Sequence, residues 1–185
     1  MSQPDDEQLA ERAQRGDATA FDRLVDRYQE RLLRFLQTRC RSRADAEDAL
    51  QDALLDAWRY LHSYDARWRF STWLYRIAIR RAARTVHAPP ADREDAADPR
   101  ADPLAECVRA SERQNLWLTA RRVLPADACT ALWLHYVEDM AQKDVARALQ
   151  RSLPWTKVTL MRARRRLQTE LDNATIDDRK GQAYG

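Results

Sequence analysis

Ser152-Leu153-Pro154-Trp155-Thr156-Lys157-Val158-Thr159-Leu160-Met161-Arg162-Ala163-Arg164-Arg165-Arg166-Leu167 puts an apolar seam and a cationic face on one stretch of chain. Leu153, Thr156, Leu160, Ala163 and Leu167 recur at alternating steps of three and four, the spacing of one side of an α-helix. Ser152 stands where an N-cap belongs, and Pro154 falls in the first turn, where its missing N–H costs nothing. Just upstream, the run from Ala141 to Leu149 predicts a short helix with Val145 and Leu149 inward, followed by a turn at Gln150-Arg151. Short helix, turn and basic second helix is the outline of a helix-turn-helix, whose second helix enters a DNA major groove. An amphipathic helix closing any bundle can carry the same arginines on its wet face, so this stretch alone leaves both readings open.

Composition narrows the field. A chain of 185 residues holds one medium domain or two small ones. Only 3 Gly, few β-branched runs and abundant Ala, Leu, Arg, Asp and Glu predict an all-α fold. The net charge of +3 and pI of about 8.9 do not suit a general polyanion binder, so the distribution of charge matters more than its sum. Cys40, Cys107 and Cys129 are scattered and odd in number, and His62, His87 and His135 are equally dispersed. Neither a disulfide framework nor a metal site is expected, and no cofactor. The N-terminus is polar and acidic, and no apolar run approaches the ~18 residues of a membrane span, so a cytoplasmic protein without a membrane partner is expected.

From the N-terminus, Asp5 or Asp6 caps a first helix that ends at Gly16, and Asp17 caps a second carrying Phe21, Leu24, Val25, Tyr28, Leu32 and Leu36 at helical spacing. Ser42-Arg43-Ala44-Asp45 reads as a capping box opening a third helix to about Leu61, with Ala46, Leu50, Ala53 or Leu54, Ala57 and Leu61 inward. On that helix Asp45, Asp48, Asp52 and Asp56 form an acidic stripe, disfavoured in isolation by a few tenths of a kcal/mol per pair. A basic partner surface would explain it, and a solvated acidic face is the plainer alternative.

Beyond Asp65 the sign reverses. Arg67, Arg69, Arg76, Arg80, Arg81 and Arg84 interleave with Trp68, Phe70, Trp73 and Tyr75, with no acid between Ala66 and Ala91. Cations follow phosphates and rings stack bases, which suits single-stranded nucleic acid. Trp73 shares helical spacing with Leu74, Ile77 and Ala78 and reads as core, whereas Trp68 is the freer ring. Pro89-Pro90 stops the helix, and His87 to Pro103 is an Ala-, Pro- and acid-rich linker. The expected organisation is a domain over 1–86, a flexible linker over 87–103, a second domain over 104–171 containing the helix-turn-helix, and a disordered tail over 172–185.

Taken in this order, the features resemble the extracytoplasmic-function sigma factors of bacterial RNA polymerase from about Asp6 to Leu171. Asp45-Ala46-Glu47-Asp48-Ala49-Leu50-Gln51-Asp52 with Trp58 is similar to the family's region 2.2, which docks on the clamp helices of the polymerase β′ subunit. Phe70-Ser71-Thr72-Trp73-Leu74-Tyr75-Arg76-Ile77-Ala78 resembles the segment around the −10 element, and Leu124-Pro125, Tyr136-Val137-Glu138, Val145-Ala146 and Val158 to Leu167 resemble region 4.

The resemblance implies a non-enzymatic specificity subunit. Asp45, Glu47, Asp48, Gln51 and Asp52 would bind core polymerase. Arg67, Trp68, Arg69, Arg76, Arg80 and Arg84 would contact the −10 element, with an unstacked non-template base captured by the loop from Asp65 to Arg69 and the start of the next helix. Trp155, Lys157, Val158, Thr159, Met161, Arg162 and Arg165 would meet the −35 element. Promoter DNA and an anti-sigma factor complete the implied partners, no residues here marking the latter's site.

The chain departs from the family pattern at Arg80 and Arg84, where Asn and Asp are usual, and at Asp56, where a basic residue is common. It departs again at Gln150 in place of the turn Gly, at Ala141 in place of Ser, at Thr156 on the seam, and at Pro154-Trp155 in place of Gly-Thr. Two other readings stand beside this one: a stand-alone helix-turn-helix regulator, and a decoy that binds polymerase or an anti-sigma factor without initiating transcription. A helical enzyme is least consistent with the residues, since no His, Cys or carboxylate cluster has catalytic spacing.

Overall fold

The computed structural model describes residues 4–87 and 116–182, all helix, turn and loop without a strand. Helices α1 (Asp6–Gln14), α2 (Ala18–Gln37) and α3 (Arg43–Arg59), a 3₁₀ turn (Leu61–Ser63) and α4 (Phe70–His87) are followed by a helical segment over 116–123 (α5), then α6 (Ala126–Tyr136), α7 (Gln142–Ala148) and α8 (Leu153–Gln182). Two compact units are present, one containing α1–α4 with residues 143–150, the other containing α5, α6 and α8. The predicted linker lies outside the described residues apart from His87, the last residue of α4, as do the predicted start of the second domain near Leu104 and the last three residues of the predicted tail.

Capping chemistry sets the helix starts of the first unit. Asp5 accepts from Gln8 N at 2.7 Å while Gln8 Oε1 accepts from Asp5 N at 3.2 Å, a closed capping box on α1. Gly16, at φ 97, takes the left-handed turn after α1, and Asp17 accepts from Ala20 N to open α2. The Thr19 hydroxyl and the Arg12 guanidinium beside it hold the Asp17 carboxyl at about 2. Ser42 and Asp45 form the predicted capping box of α3.

The core of this unit takes Phe21, Leu24, Tyr28, Leu32 and Leu36 from α2 as predicted, adds Phe35, and leaves Val25 half-buried. On α3 the buried stripe is Ala46, Ala49, Ala53 and Ala57, whereas Leu50 and Leu54 are only half-buried. Small side chains on this face let α3 lie close against α2 and α4, its two neighbours in the unit. Larger leucines are left at the edges of the contact.

Arg81 of α4 crosses to α3, its Nε donating to Asp56 Oδ2 at 2.7 Å and its Nη1 to Asp52 Oδ2 at 3.1 Å. The side chains of Arg81 and Asp56 are only 20% and 15% exposed. The pair therefore lies between a surface salt bridge and a buried one. Arg81→Ala is expected to lower stability by about 2 kcal/mol in urea unfolding, because Asp56 is left half-desolvated and without this donor. Asp52 and Asp56 of the predicted acidic stripe are thus tied to α4.

In the second unit, Trp117 and Trp133 pack with centroids 4.7 Å apart, joining α5 to α6, and the Trp133 indole donates to the buried Glu138 at 3.1 Å. Helix α8 begins as predicted, with Trp155 N donating to Ser152 Oγ at 3.3 Å. Thr156, Leu160 and Ala163 are buried and Leu167 is half-buried, but Leu153, the first helical residue, is 39% exposed. The Thr156 hydroxyl donates back to Ser152 O at 3.1 Å, so a polar atom on the seam is satisfied within its own turn. Helix α8 runs to Gln182, past the Leu171 at which the sequence reading ends the domain. No Pro or Gly interrupts it between Trp155 and Lys180.

Candidate nucleic-acid interface

Three surfaces bear on the predicted site residues. The first is the outer face of α3. Asp45 closes the helix cap and Glu47 pairs with Arg43 at 2.9 Å, so these two carboxylates have local work. Asp48, Gln51 and Asp52 are exposed, and one turn further on Leu55 and Trp58 show 45% and 46% of their surfaces. Leu55 is absent from the predicted set, and so is Tyr60, which is 55% exposed. For Leu55 the signal is an apolar residue out of register with its helix's core stripe, whereas Tyr60, the C-cap of α3, carries no such mark. Trp58 keeps one side against Phe21, with centroids 5.0 Å apart.

The second surface is the loop ahead of α4. Gln14 on α1 donates to Leu61 O and Tyr64 O, each at 2.8 Å, tying the loop to the first helix. Tyr64 is buried against Phe70 and Trp73, and its hydroxyl donates to Trp68 O at 2.6 Å, closing the loop on itself. Burial first, then the nearby Glu7 carboxylate, pushes the Tyr64 phenol up, so it remains a donor. Glu7 Oε1 accepts from Phe70 N at 3.0 Å and thereby caps α4 from another helix.

Within the loop Arg67 folds back on Asp65 through Nε and Nη2, holding the Asp65 carboxyl below its usual range. Arg67 is therefore engaged, where a free cation was expected. Arg69 is exposed, and Arg76, Arg80 and Arg84 follow at steps of four along one side of α4, the first half-buried and the other two exposed. Trp68 is 42% exposed, and the Arg147 guanidinium lies 3.6 Å from its ring centre. Trp73 packs on Tyr64 and Phe70 and is half-buried, at the edge of the core where its spacing predicts a core position.

The third surface is α8. At about 100° per residue, the buried line through Thr156, Leu160 and Ala163 puts Val158 and Arg165 on the opposite side, with Met161 and Arg162 beside them. Val158 and Met161 are 41% and 64% exposed. Trp155 and Thr159 instead turn toward the start of α6, where with Arg162, Leu124 and Pro125 they border a groove of about 540 Å³. Lys157 lies toward the other edge, with Met161 and Arg165, along a second groove of about 550 Å³. The seven residues predicted here therefore divide into a central set and two margins. Gln150, in the turn before α8, has φ 56, a left-handed conformation costing up to about 1 kcal/mol relative to the glycine usual there.

Among the described residues no three His, Cys, Asp or Glu side chains are grouped to hold a metal ion, and no helix is long and apolar enough to cross a membrane.

A family model described as Sigma-70 region 2 matches residues 24–88. The chain is 34% identical to the RNA polymerase sigma-H factor of Pseudomonas aeruginosa, over 92% of its own length and 96% of that protein's. It is 31% identical to the ECF RNA polymerase sigma-E factor of Haemophilus influenzae, over 90% and 95%. Among solved structures, CnrH in complex with the cytosolic domain of CnrY aligns with a TM-score of 0.72 at 23% identity, covering 91% of this chain and 97% of that one, a likeness of fold.

Proposed function

Since this chain belongs to the extracytoplasmic-function sigma factors of bacterial RNA polymerase, we propose that it divides promoter recognition among the three surfaces described above. The outer face of α3, with Asp48, Gln51, Leu55 and Trp58, docks on the β′ clamp helices of core polymerase. The loop and α4, through Trp68, Arg69, Arg76, Arg80 and Arg84, hold the non-template strand of the −10 element. The exposed side of α8 enters the major groove of the −35 element. In this reading residues 1–86 are the core-binding, −10-reading half and 104–171 the −35-reading half. The protein acts in the bacterial cytoplasm and catalyses no reaction itself. An anti-sigma factor is the remaining partner, by analogy with the sigma factor RpoE of Bartonella quintana, whose structure holds the anti-sigma factor NepR.

The observation that carries the reading is the segregation on α8. A buried seam of Thr156, Leu160 and Ala163 backs an exposed row in which Val158 and Met161 sit among Lys157, Arg162 and Arg165. Solvated cationic faces have no use for exposed Val and Met, whereas a groove-reading face uses them against thymine methyls.

Run-off transcription on a library of genomic fragments, with bacterial core polymerase in the presence and absence of this protein, tests the function. New transcripts sharing two upstream elements are expected. Duplex binding by the protein alone without transcripts would favour a stand-alone regulator, and core binding without transcripts would favour a decoy.

A further inference from the structure

Of the 32 lysines and arginines in the chain only three are lysines, Lys143, Lys157 and Lys180. One of them, Lys157, borders the groove of about 550 Å³ on the Tyr136 side of α8. We infer that this groove binds acyl phosphates in the free protein and that they acylate Lys157, removing one positive charge from the margin of α8. The modification stands independently of the proposed −35 role, and its effect on DNA rests on that role.

Three cationic side chains, Lys157, Arg164 and Arg165, border the groove, and no carboxylate does. All three are exposed, and their charged ends take part in no hydrogen bond or ion pair among the described residues. Arg164 follows Lys157 by seven residues, which puts it about 20° from the same line of the helix and about 10 Å further along the axis. Helical side chains lean toward the N-terminus, so the Arg164 guanidinium is directed back toward the lysine. Arg165 approaches from the other side of that line. A cleft lined by one sign of charge concentrates small counter-ions by about 10-fold to 10³-fold, and planar guanidinium forks match phosphate oxygens. Leu160 and the exposed thioether chain of Met161 offer apolar surface to an acyl methyl. An acyl phosphate carries its anionic group one oxygen away from the carbonyl carbon, so a groove that holds the phosphate also holds the carbonyl near the amine.

The acyl phosphate is the one co-reactant. The Lys157 ammonium gives a proton to water, and the neutral amine attacks the carbonyl carbon. A C–N bond forms while the C–O bond to phosphorus-bound oxygen breaks, and inorganic phosphate leaves with that electron pair. The nitrogen then loses a second proton, which the departing phosphate takes. Arginine stays protonated and does not react in this way, so an arginine-rich helix directs the acyl group to its lysine. The amide product is neutral. Lys143 is also exposed, but it does not border this groove and is followed directly by Asp144.

Full-length protein incubated with acetyl phosphate and followed by peptide mass spectrometry tests the site. Lys157 should be acetylated on the order of tenfold faster than Lys143. Arg164→Gln should remove that advantage, and excess inorganic phosphate should suppress it. Equal rates at the two lysines, or an advantage that survives Arg164→Gln, would overturn the inference. The consequence is measured in a Lys143→Arg, Lys180→Arg background, acetylated before reconstitution with core polymerase and then titrated with duplex −35 DNA. Affinity should fall alike on every sequence, with the slope of log affinity against log salt reduced by about 1. Selective acetylation with unchanged duplex affinity would overturn the control of DNA binding. Failure of the unmodified holoenzyme to bind the duplex would instead overturn the −35 role, with the acetylation rates unaffected.

Discussion

Asp48→Arg should lower the affinity for core polymerase by more than about 100-fold while leaving helicity and unfolding midpoint close to those of the parent chain. The other acids of the α3 stripe are poor test positions. Asp45 closes a capping box, Glu47 pairs with Arg43, and Asp52 and Asp56 bind Arg81, so reversing any of them mixes folding with assembly. Asp48 is exposed on the wet side of α3, adjoining Gln51 and about two to three turns before the half-exposed Leu55 and Trp58. Apolar anchors bordered by charge are the anatomy of a protein interface, and like charges brought together there cost several kcal/mol. Asp48 is exposed, and interactions between exposed charges contribute only about 0–1 kcal/mol, so the fold should tolerate its reversal. Arg81→Ala should behave in the opposite way, with reduced stability and unchanged affinity below its unfolding transition. Fluorescence anisotropy of labelled protein titrated with core measures both, and unchanged binding by Asp48→Arg would remove the assembly role from this face.

That contrast shows where sequence reasoning reached its limit. Helix starts were legible because capping is local: Asp5, Asp17, Ser42 and Ser152 each bond a backbone N–H three residues on. The loop-to-α4 segment was legible as a chemical type, with Trp73 packed half-buried on its neighbours and Trp68 exposed, because helical spacing separates the two rings. The roles of individual charges were not. Arg81 reaches partners 25 and 29 residues away, and no local spacing distinguishes it from Arg80 or Arg84. Arg67 looked like a phosphate contact until its turn geometry joined it to Asp65. On α3, an alanine stripe was harder to read than a leucine one, since Ala46, Ala49, Ala53 and Ala57 carry a weak hydrophobic signal but set the closest packing. The capping of α4 by Glu7 was invisible in sequence, because it joins residues 63 positions apart in the chain.

Arg162→Ala should weaken −35 binding by about 1–3 kcal/mol at one base pair and have little effect on DNA already mismatched there. Arg162 is exposed, lies beside the outermost line of α8, and takes part in no hydrogen bond or ion pair among the described residues. Its planar fork matches guanine O6 and N7 with two parallel bonds, a geometry Lys cannot reproduce. Lys157, at the margin of the helix, suits a phosphate, and its loss should weaken all sequences alike and flatten the salt dependence. The measurement is competition binding of holoenzyme to duplex promoters carrying every base pair at each −35 position, for the parent chain, Arg162→Ala and Arg162→Lys. A loss confined to one position and not rescued by Lys identifies a base contact. Because the groove near Trp155 and Thr159 also receives Arg162, the rival outcome is equally concrete: a uniform loss that Lys repairs would place the guanidinium on the backbone and leave base reading to Val158, Met161 and Arg165.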